Sequence, residues 1–435
     1  MQIILLSGGS GKRLWPLSND VRSKQFMKIF KNKEGVFESM VQRMYRDLKT
    51  AMPDCNITIA TGKAQVSAIR NQLGDNVDVC VEPARRDTFP AIALASSYLY
   101  YEKKLSKDEP VVVCPVDPYV EFDYFATIKK IGMRVSEGKS NITLMGIKPT
   151  YPSEKYGYIV PNSDATVKEF KEKPDLNTAK ALIGEGALWN GGVFGFKLGY
   201  MIDKSHSLID YYDYEDLQKQ YETLEKISID YALVEKEKSA EVITFGGEWM
   251  DVGTWQTLTK VMSERSIGKV SFDNTCSNTH VLNELDVPII AMGLKDMVVA
   301  ASPDGILVAD KHQSSYMKTL VDKIEGPAMY AEKSWGSYKI LDVEEGGITL
   351  KVTLLPGHSM NYHSHEHRDE TWTVLEGEGV AIVDDVERKV SVGDVILLPK
   401  GTKHMIKADS LLKIMEVQVG KDIDINDKIK HEYKG

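Results

Sequence analysis

Apolar positions fall into three regimes along the chain. Residues 2–6 form a short run rich in β-branched side chains, the pattern of a strand buried on both faces. Val36, Met40, Val41, Met44, Tyr45 and Leu48 recur at helical spacing over residues 36–49. Runs at 57–60, 77–81 and 111–114 read as further strands, and 90–105 as a helix. Strand and helix thus alternate through residues 1–265, which predicts a doubly wound, mostly parallel α/β sheet. Such sheets bind ligands beyond the carboxyl ends of their strands. Over 266–330, short strands at 287–292, 297–301 and 306–309 alternate with turn residues and end in a helix near 312–324, a connecting β module. Residues 331–435 read as a separate all-β unit.

Composition narrows the setting. A chain of 435 residues with 42% hydrophobic and 27% charged content is a globular protein of two or three domains. A net charge of −9 argues against nucleic acid or an anionic membrane as a partner. Cys55, Cys80, Cys114 and Cys276 are scattered without a CxxC and read as buried free thiols in a reducing compartment. No stretch approaches membrane-spanning length, so the expected location is cytoplasmic, with no membrane partner; a homo-oligomer is compatible with the sequence.

The chemistry concentrates first at Ser7-Gly8-Gly9-Ser10-Gly11-Lys12-Arg13-Leu14, directly after the first strand. Glycines let a backbone take positive φ and approach a ligand, and their N–H groups with a basic pair suit phosphates. An ordinary strand-to-helix turn would look similar. Two familiar phosphate loops are excluded: Arg13 stands where a Walker loop has Ser or Thr, and Leu14 where the dinucleotide fingerprint has a third small residue. Asp117 lies just past the strand 111–114, and Asp251 in Trp249-Met250-Asp251-Val252-Gly253-Thr254-Trp255 follows another strand. Acidic residues there are commonly turn formers; as hard oxygen donors they are also good Mg²⁺ ligands.

The run from Gly8 to Ser18, followed by Lys24-Gln25-Phe26, resembles the signature of sugar-1-phosphate nucleotidyltransferases, in particular the mannose-1-phosphate guanylyltransferases. Ser23 replaces the usual proline before the lysine. The resemblance implies a nucleotide site made by Leu6, Gly8, Gly9, Gly11, Lys12, Glu82, Arg86, Asp87 and Thr88. Within it, the segment Glu82–Ala91 faces base and ribose; Arg85, Asp87 and Phe89 stand where the family usually has Gly, Asn and Ala. Guanine presents adjacent N–H donors that Glu82 or Asp87 could accept. Val116-Asp117-Pro118 stands in place of the family's Ala-Asp-His. Tyr156-Gly157-Tyr158, Phe170–Pro174 and Trp189–Phe194 resemble sugar-binding segments, with Gly157, Glu172 and Asn190 for hydroxyls and Lys173 for the 1-phosphate. Ser228–Leu233 matches a family segment read here as structural.

In the last third, Gly357, His363-x-His365, Glu370 and Gly377 fit the first cupin motif, and Gly393, Pro399-x-Gly401-x-x-His404 the second, with Ala408 replacing its final Asn. Histidines one residue apart on a strand share a face. His363, His365, Glu370 and His404 therefore predict a divalent metal site, for Zn, Mn, Fe or Ni. In two-domain relatives this cupin is a mannose-6-phosphate isomerase, a resemblance carried by Trp335-Gly336, His367-Arg368-x-Glu370-x-Trp372 and Glu416-Val417-Gln418-x-Gly420. Asn361 and Thr371 replace a Gln and a His of its pattern, and Asn426–Lys430 departs from the usual terminal segment. Metal binding with weak or absent isomerase activity is the expectation, and His367 is expected to face solvent.

Three domains follow: a nucleotidyltransferase at 1–265, a connecting module at 266–330 and a cupin at 331–435. The expected reaction joins a nucleoside triphosphate, GTP by resemblance, to a sugar 1-phosphate, mannose 1-phosphate by resemblance. Arg13, Lys24 and Lys173 would be the catalytic cations, and Asp117 and Asp251 would hold Mg²⁺. The competing readings are a sugar-phosphate isomerase seated in the cupin, a different base and sugar pair, and a non-catalytic sensor.

Overall fold

The computed structural model describes residues 1–9, 12–19, 21–421, 423 and 427–433. Gly11, one of the expected phosphate-loop positions, lies outside the described residues. The chain forms two compact units: Met1–Ser10, Lys24–Val66 and Asn76–Ser263 make one, and Gly11–Ser23, Ser67–Asp75 and Glu264–Gly435 the other.

The first unit is built on a nine-stranded sheet. Pro110–Pro115, Gln2–Leu6, Asn56–Gly62 and Asp78–Glu82 lie side by side and parallel. Next to Pro110–Pro115 runs Leu188–Lys197, antiparallel, flanked by Tyr158–Pro161 and by Ile142–Ile147. The sheet is therefore mixed: beyond the antiparallel Leu188–Lys197, Ala240–Phe245 again pairs in parallel with Ile142–Ile147. The hairpin from Tyr158–Pro161 to Val167–Lys171 turns within a few residues, and so short a connection forces antiparallel pairing. Ile3, Ile4, Leu5 and Val111 to Cys114 are fully buried. Each Ile, Leu or Val so placed contributes ~1.5–3 kcal/mol relative to exposure. The registers Leu6↔Pro115, Leu6↔Ala60 and Gly62↔Glu82 bring the carboxyl ends of the parallel strands to one edge.

Two helices show how local chemistry sets boundaries. The pattern at 36–49 becomes a helix over Met40–Ala51, because Ser39 caps it and Gln42 closes a capping box. Val36 instead sits in the turn of a short hairpin of Phe30–Lys31 with Phe37–Glu38. The helix expected at 90–105 runs from Thr88 to Ser97 with Asp87 as cap, then widens to a π turn over Tyr98–Glu102. Its residues from Phe89 to Ser97 are all buried, so it is a core helix rather than an amphipathic one.

In the second unit, Ser266–Ile267, His280–Asn283 and Met297–Ser302 stack in parallel, and Gly305–Asp310 closes the sheet antiparallel. The helix expected near 312–324 is a 3₁₀ turn, Gln313–Tyr316, and a single turn at Lys318–Val321. A six-stranded and a five-stranded antiparallel sheet follow. Their buried side chains, Trp372, Leu354, Ile406 and Ile414 among them, form one core. Among the described residues, no helix is long and apolar enough to cross a membrane.

Candidate active site and metal centre

A cavity of about 630 Å³ opens at the carboxyl edge of the parallel strands. Leu6, Gly8, Gly9, Glu82, Arg86, Asp87, Thr88 and Asp117, all singled out from the sequence, line it together. Gly9 has φ +120°, which favours glycine, although a Cβ there would meet nothing within 4 Å. The loop is held from below. Gln25, fully buried, donates to the Ser7 carbonyl at 3.3 Å; Thr61 donates to it at 2.9 Å; and Gln65 donates to the Gly9 carbonyl at 3.4 Å. The sequence reading passed over Gln65 and its neighbour Lys63, both of which line the cavity, because neither belongs to a motif.

The loop from Glu82 to Thr88, expected from sequence to face the base, is braced by hydrogen bonds. Asp87 sits at φ +70° and accepts from its neighbour Thr88 N–H, capping the core helix. Thr88 Oγ1 accepts from Ile229 N–H at 2.9 Å, and Arg86 donates to the Glu222 carbonyl. Glu82 accepts from the Tyr221 hydroxyl at 3.0 Å. Burial pushes the Glu82 carboxyl up to about 7, against the opposing pull of Tyr221 and Arg85.

Asp117 and Asp251 meet through a two-strand ladder in which Asp251 pairs with Pro118. The Lys24 ammonium lies 2.8 Å from Asp117 Oδ2 and 3.8 Å from Asp251 Oδ1. Burial alone would raise the Asp117 carboxyl, but Lys24 holds it below the usual carboxylate range. Two hard-oxygen donors converging on one cationic position fit Mg²⁺ chemistry.

The residues expected from sequence to bind the sugar also converge. Glu172, buried, takes an ion pair from Lys173 at 2.7 Å. A Cβ on Gly157 would lie 2.5 Å from Glu172 Oε2 and 3.3 Å from Asn190 Cβ. Asn190 Nδ2 donates to Asp230 Oδ1 at 2.7 Å. Burial and the nearby Glu172 push the Asp230 carboxyl up to about 7. Asp230 belongs to the segment read from sequence as structural; its helix-opening pattern hid a side chain that points at the sugar-side residues. Phe194 pairs with Val113, so Asn190 lies beyond the same carboxyl end that carries Asp117.

Lys12 and Arg13 sit on a 3₁₀ turn, Lys12–Leu14, in the second unit. Lys12 pairs with Asp322 at 3.3 Å, and Arg13 is exposed.

In the cupin, the ligand nitrogens of His363, His365 and His404 all lie within 4.8 Å of one another. Each Nδ1 faces a backbone carbonyl: Asn361 at 2.6 Å for His363, Asp427 for His365 and Thr402 at 3.0 Å for His404. Those bonds place the proton on Nδ1 and turn an unprotonated Nε2 inward. Among the described residues, His404 Nε2 is buried with no hydrogen-bond partner. The Glu370 carboxylate lies 3.1 Å from His365 Nε2 and 3.4 Å from His404 Nε2, and accepts from Arg368 Nε at 2.8 Å. An orphaned inward nitrogen beside the inward nitrogens of His363 and His365, the latter 3.2 Å from Arg368 Nη2, fits a divalent metal. The adjoining cavity, about 400 Å³, is lined by His363, Glu370, Glu416 and the cations Lys333, Arg368 and Lys428. His367 is exposed, as expected. Thr371 lies on the opposite face of its strand from the inward Glu370 and Trp372, so the histidine it replaces is not one this cavity lacks.

Comparison with known proteins agrees with both halves. The Nucleotidyl transferase family matches residues 2–266 and the Cupin domain family residues 350–417. A putative mannose-1-phosphate guanylyltransferase of Vibrio cholerae is 30% identical, with 99% of each chain covered. The mannose-1-phosphate guanylyltransferase of Escherichia coli is 26% identical over 98% of this chain and 97% of that one. A solved structure from Thermus thermophilus, called mannose-1-phosphate geranyltransferase, shares 27% identity at a TM-score of 0.62, covering 74% of this chain and 98% of that one. The chain belongs to the nucleotidyl transferase family, as a sugar-1-phosphate nucleotidyltransferase of the mannose-1-phosphate guanylyltransferase type with a C-terminal cupin domain.

Proposed function

We propose that the enzyme transfers GMP from GTP to mannose 1-phosphate, giving GDP-mannose and pyrophosphate. The observation that carries this reading is one carboxyl edge serving both reactants, with a nucleotide-sized cavity and the Gly157–Glu172–Asn190–Lys173 cluster beyond the same strand ends. The sugar phosphate is already an anion and needs no base. One of its oxygens attacks the α-phosphorus in line, and the bond to pyrophosphate breaks. Catalysis is then positioning and charge neutralisation. Amides of the glycine loop with Lys24 hold the triphosphate, and Lys173 orients the attacking phosphate. Glu82 and Asp87 read the base, braced by Arg86 and Thr88. Glu172, Asn190 and the Gly157 backbone take the sugar hydroxyls. Asp117 and Asp251 would hold Mg²⁺, which when bound supplies positive charge to the phosphates. A matrix of four nucleoside triphosphates against several sugar 1-phosphates, read by pyrophosphate release, tests the assignment. GTP with mannose 1-phosphate should give the highest kcat/KM; a clear win for CTP, UTP or dTTP refutes the base.

The cupin supports a second reading, metal-dependent isomerisation of a sugar phosphate, favoured by three cations lining the cavity beside the histidines. His363, His365 and His404, with Glu370, would hold the metal, which when bound would polarise a substrate oxygen. Interconversion of mannose 6-phosphate and fructose 6-phosphate, compared with His363→Ala, tests this. We expect metal binding with little turnover; robust turnover lost in the variant would establish the second activity.

A further inference from the structure

Asn190 stands at an irregularity in its strand. Leu188–Lys197 pairs with Ile142–Ile147, but the register shifts between Asn190 and Phe194. The displaced residues bulge at Asn190-Gly191-Gly192, where Gly192 takes φ +69°. A Cβ on Gly192 would lie 3.7 Å from Pro115 Cγ, so the bulge sits against a residue that lines the cavity at the carboxyl edge. Three bonds hold Asn190 there. Its N–H donates to the Gly157 carbonyl at 2.8 Å, its Oδ1 accepts from Gly192 N–H at 3.1 Å, and its Nδ2 donates to Asp230 Oδ1 at 2.7 Å. The last two settle which way the amide faces. Flipped, it would set its NH₂ against the Gly192 N–H, donor to donor, and its oxygen against the Asp230 carboxylate. In the observed orientation one Nδ2–H goes to Asp230, and among the described residues the second is uncommitted.

Asp230 comes to this amide from 40 residues further along the chain, on a turn that is itself pinned. Ser228 caps Ile229–Ala232 by accepting from Tyr231 N–H at 3.4 Å. Ile229 is fully buried, and its N–H donates to Thr88 Oγ1. Ile227 is tied on both sides: its N–H donates to the Arg86 carbonyl at 3.3 Å, and its carbonyl accepts from Phe89 N–H at 3.2 Å. The backbone and Ile229 therefore seat the turn, and none of these bonds uses the Asp230 carboxyl. That carboxyl is half-buried, and burial together with the nearby Glu172 pushes it up to about 7. A carboxyl taken out of water beside another is costly, and an apolar side chain would suit the turn at least as well. Its bond to Asn190 is what the carboxyl contributes.

We propose that Asp230 is a positioning residue of the transferase reaction, holding the Asn190 amide so that a hydrogen-bond donor, rather than an acceptor, is presented to an oxygen of the sugar phosphate. The proposal rests on the transferase reading above. Asp230 acts through Asn190 and need not touch the substrate. Its loss leaves the amide free to turn, and the cost falls on the sugar phosphate. The nucleotide side keeps its brace, because Thr88 is bonded to the backbone of Ile229 and not to the Asp230 side chain.

The test uses the full chain with Mg²⁺, GTP and mannose 1-phosphate. Asp230→Ala should raise the KM for mannose 1-phosphate at least about tenfold, with the GTP KM unchanged within about twofold. Asp230→Asn keeps an oxygen that accepts from Asn190 and should recover most of the loss. In an Asn190→Ala background, Asp230→Ala should add less than about twofold, because the two side chains act as one unit. Exchange of the Gly192 amide hydrogen, followed by NMR, should quicken in Asp230→Ala, without a matching change in Gln2–Leu6. An unchanged sugar-phosphate KM, an equal rise in both KM values, losses that multiply in the double variant, or unaltered exchange at Gly192 overturns the proposal. Should Asp230→Ala fail to fold, Asp230→Ser, with a shorter side chain, carries the same comparison. A wild-type chain without transferase activity would refute the transferase reading, while exchange at Gly192 still decides whether Asp230 holds the Asn190 amide.

Discussion

At the scale of single residues, the two aspartates are the sharpest test of the proposed transferase site. Each stands at a strand end beside Lys24, and neither supports the core. Asp117→Ala and Asp251→Ala should each lower turnover by about a hundredfold or more while the thermal unfolding midpoint stays close to wild type; near-normal pyrophosphate release from either variant removes it from the metal site. Glu82 gives a pH signature. Its carboxyl is held near 7 by burial, against about 4.3 in an unfolded chain. In the proposed role it would accept the paired N–H donors of a guanine when ionised and lose acceptor capacity when protonated. The kcat/KM for GTP should therefore rise between pH 6 and 8, and Glu82→Gln should flatten the profile. Stability runs the other way. With the folded value above the unfolded one, the folded chain binds the extra proton between these values, so Glu82 weakens folding as pH climbs from about 4 to 7. Glu82→Gln should gain in relative stability over that window, measured by urea unfolding at several pH values.

Single elements show which parts of the pattern were readable. The first strand, its glycine turn and the two cupin motifs were plain because strand periodicity and fixed ligand spacing are local properties. Asp230 was not, because its helix-opening segment looks like any capped turn; only the fold carries it to Asn190. Gln65 was equally hidden, since a side chain that braces a loop from below needs no motif. The capped start at Ser39 shows the converse, a local signal present but outvoted by Val36, which the apolar spacing drew into the helix. Gly157 yields an element-scale prediction. Gly157→Ala places a methyl against Glu172 Oε2 and Phe170, so the KM for mannose 1-phosphate should rise at least about tenfold with the triphosphate KM little changed. A parallel rise in both would show general distortion instead.

For the whole molecule, the passage from an α/β to an all-β pattern was legible from changes in periodicity, whereas the division of the signature segment between two units was not, because it depends on pairs such as Arg22 with Glu284, 262 residues apart. The two proposed metal sites also differ in kind: carboxylate oxygens in one unit, imidazole nitrogens in the other. A chelated sample given Mg²⁺ alone should regain transferase activity while the cupin histidines stay empty by metal analysis. Adding Zn²⁺, Mn²⁺, Fe²⁺ or Ni²⁺ should then raise the unfolding temperature, since a ligand at a hundred times its Kd contributes ~2.7 kcal/mol. His404→Ala should abolish that rise; a rise that persists places the metal elsewhere.

The seating of residues 12–23 has a consequence for how the protein is made. Asn19 and Arg22 are made some hundreds of residues before Asp304, Glu284 and Tyr330, the partners they meet within the second unit. At about 5–20 residues per second, that interval lasts tens of seconds. During it the early sheet can assemble around Gln2–Leu6, but Arg22 and Asn19 still lack Glu284 and Asp304, which leaves the stretch after the glycines open to protease. A ribosome stalled before residue 284 should therefore present a chain that is cut within 12–23, and one stalled after the cupin has cleared the exit tunnel should not.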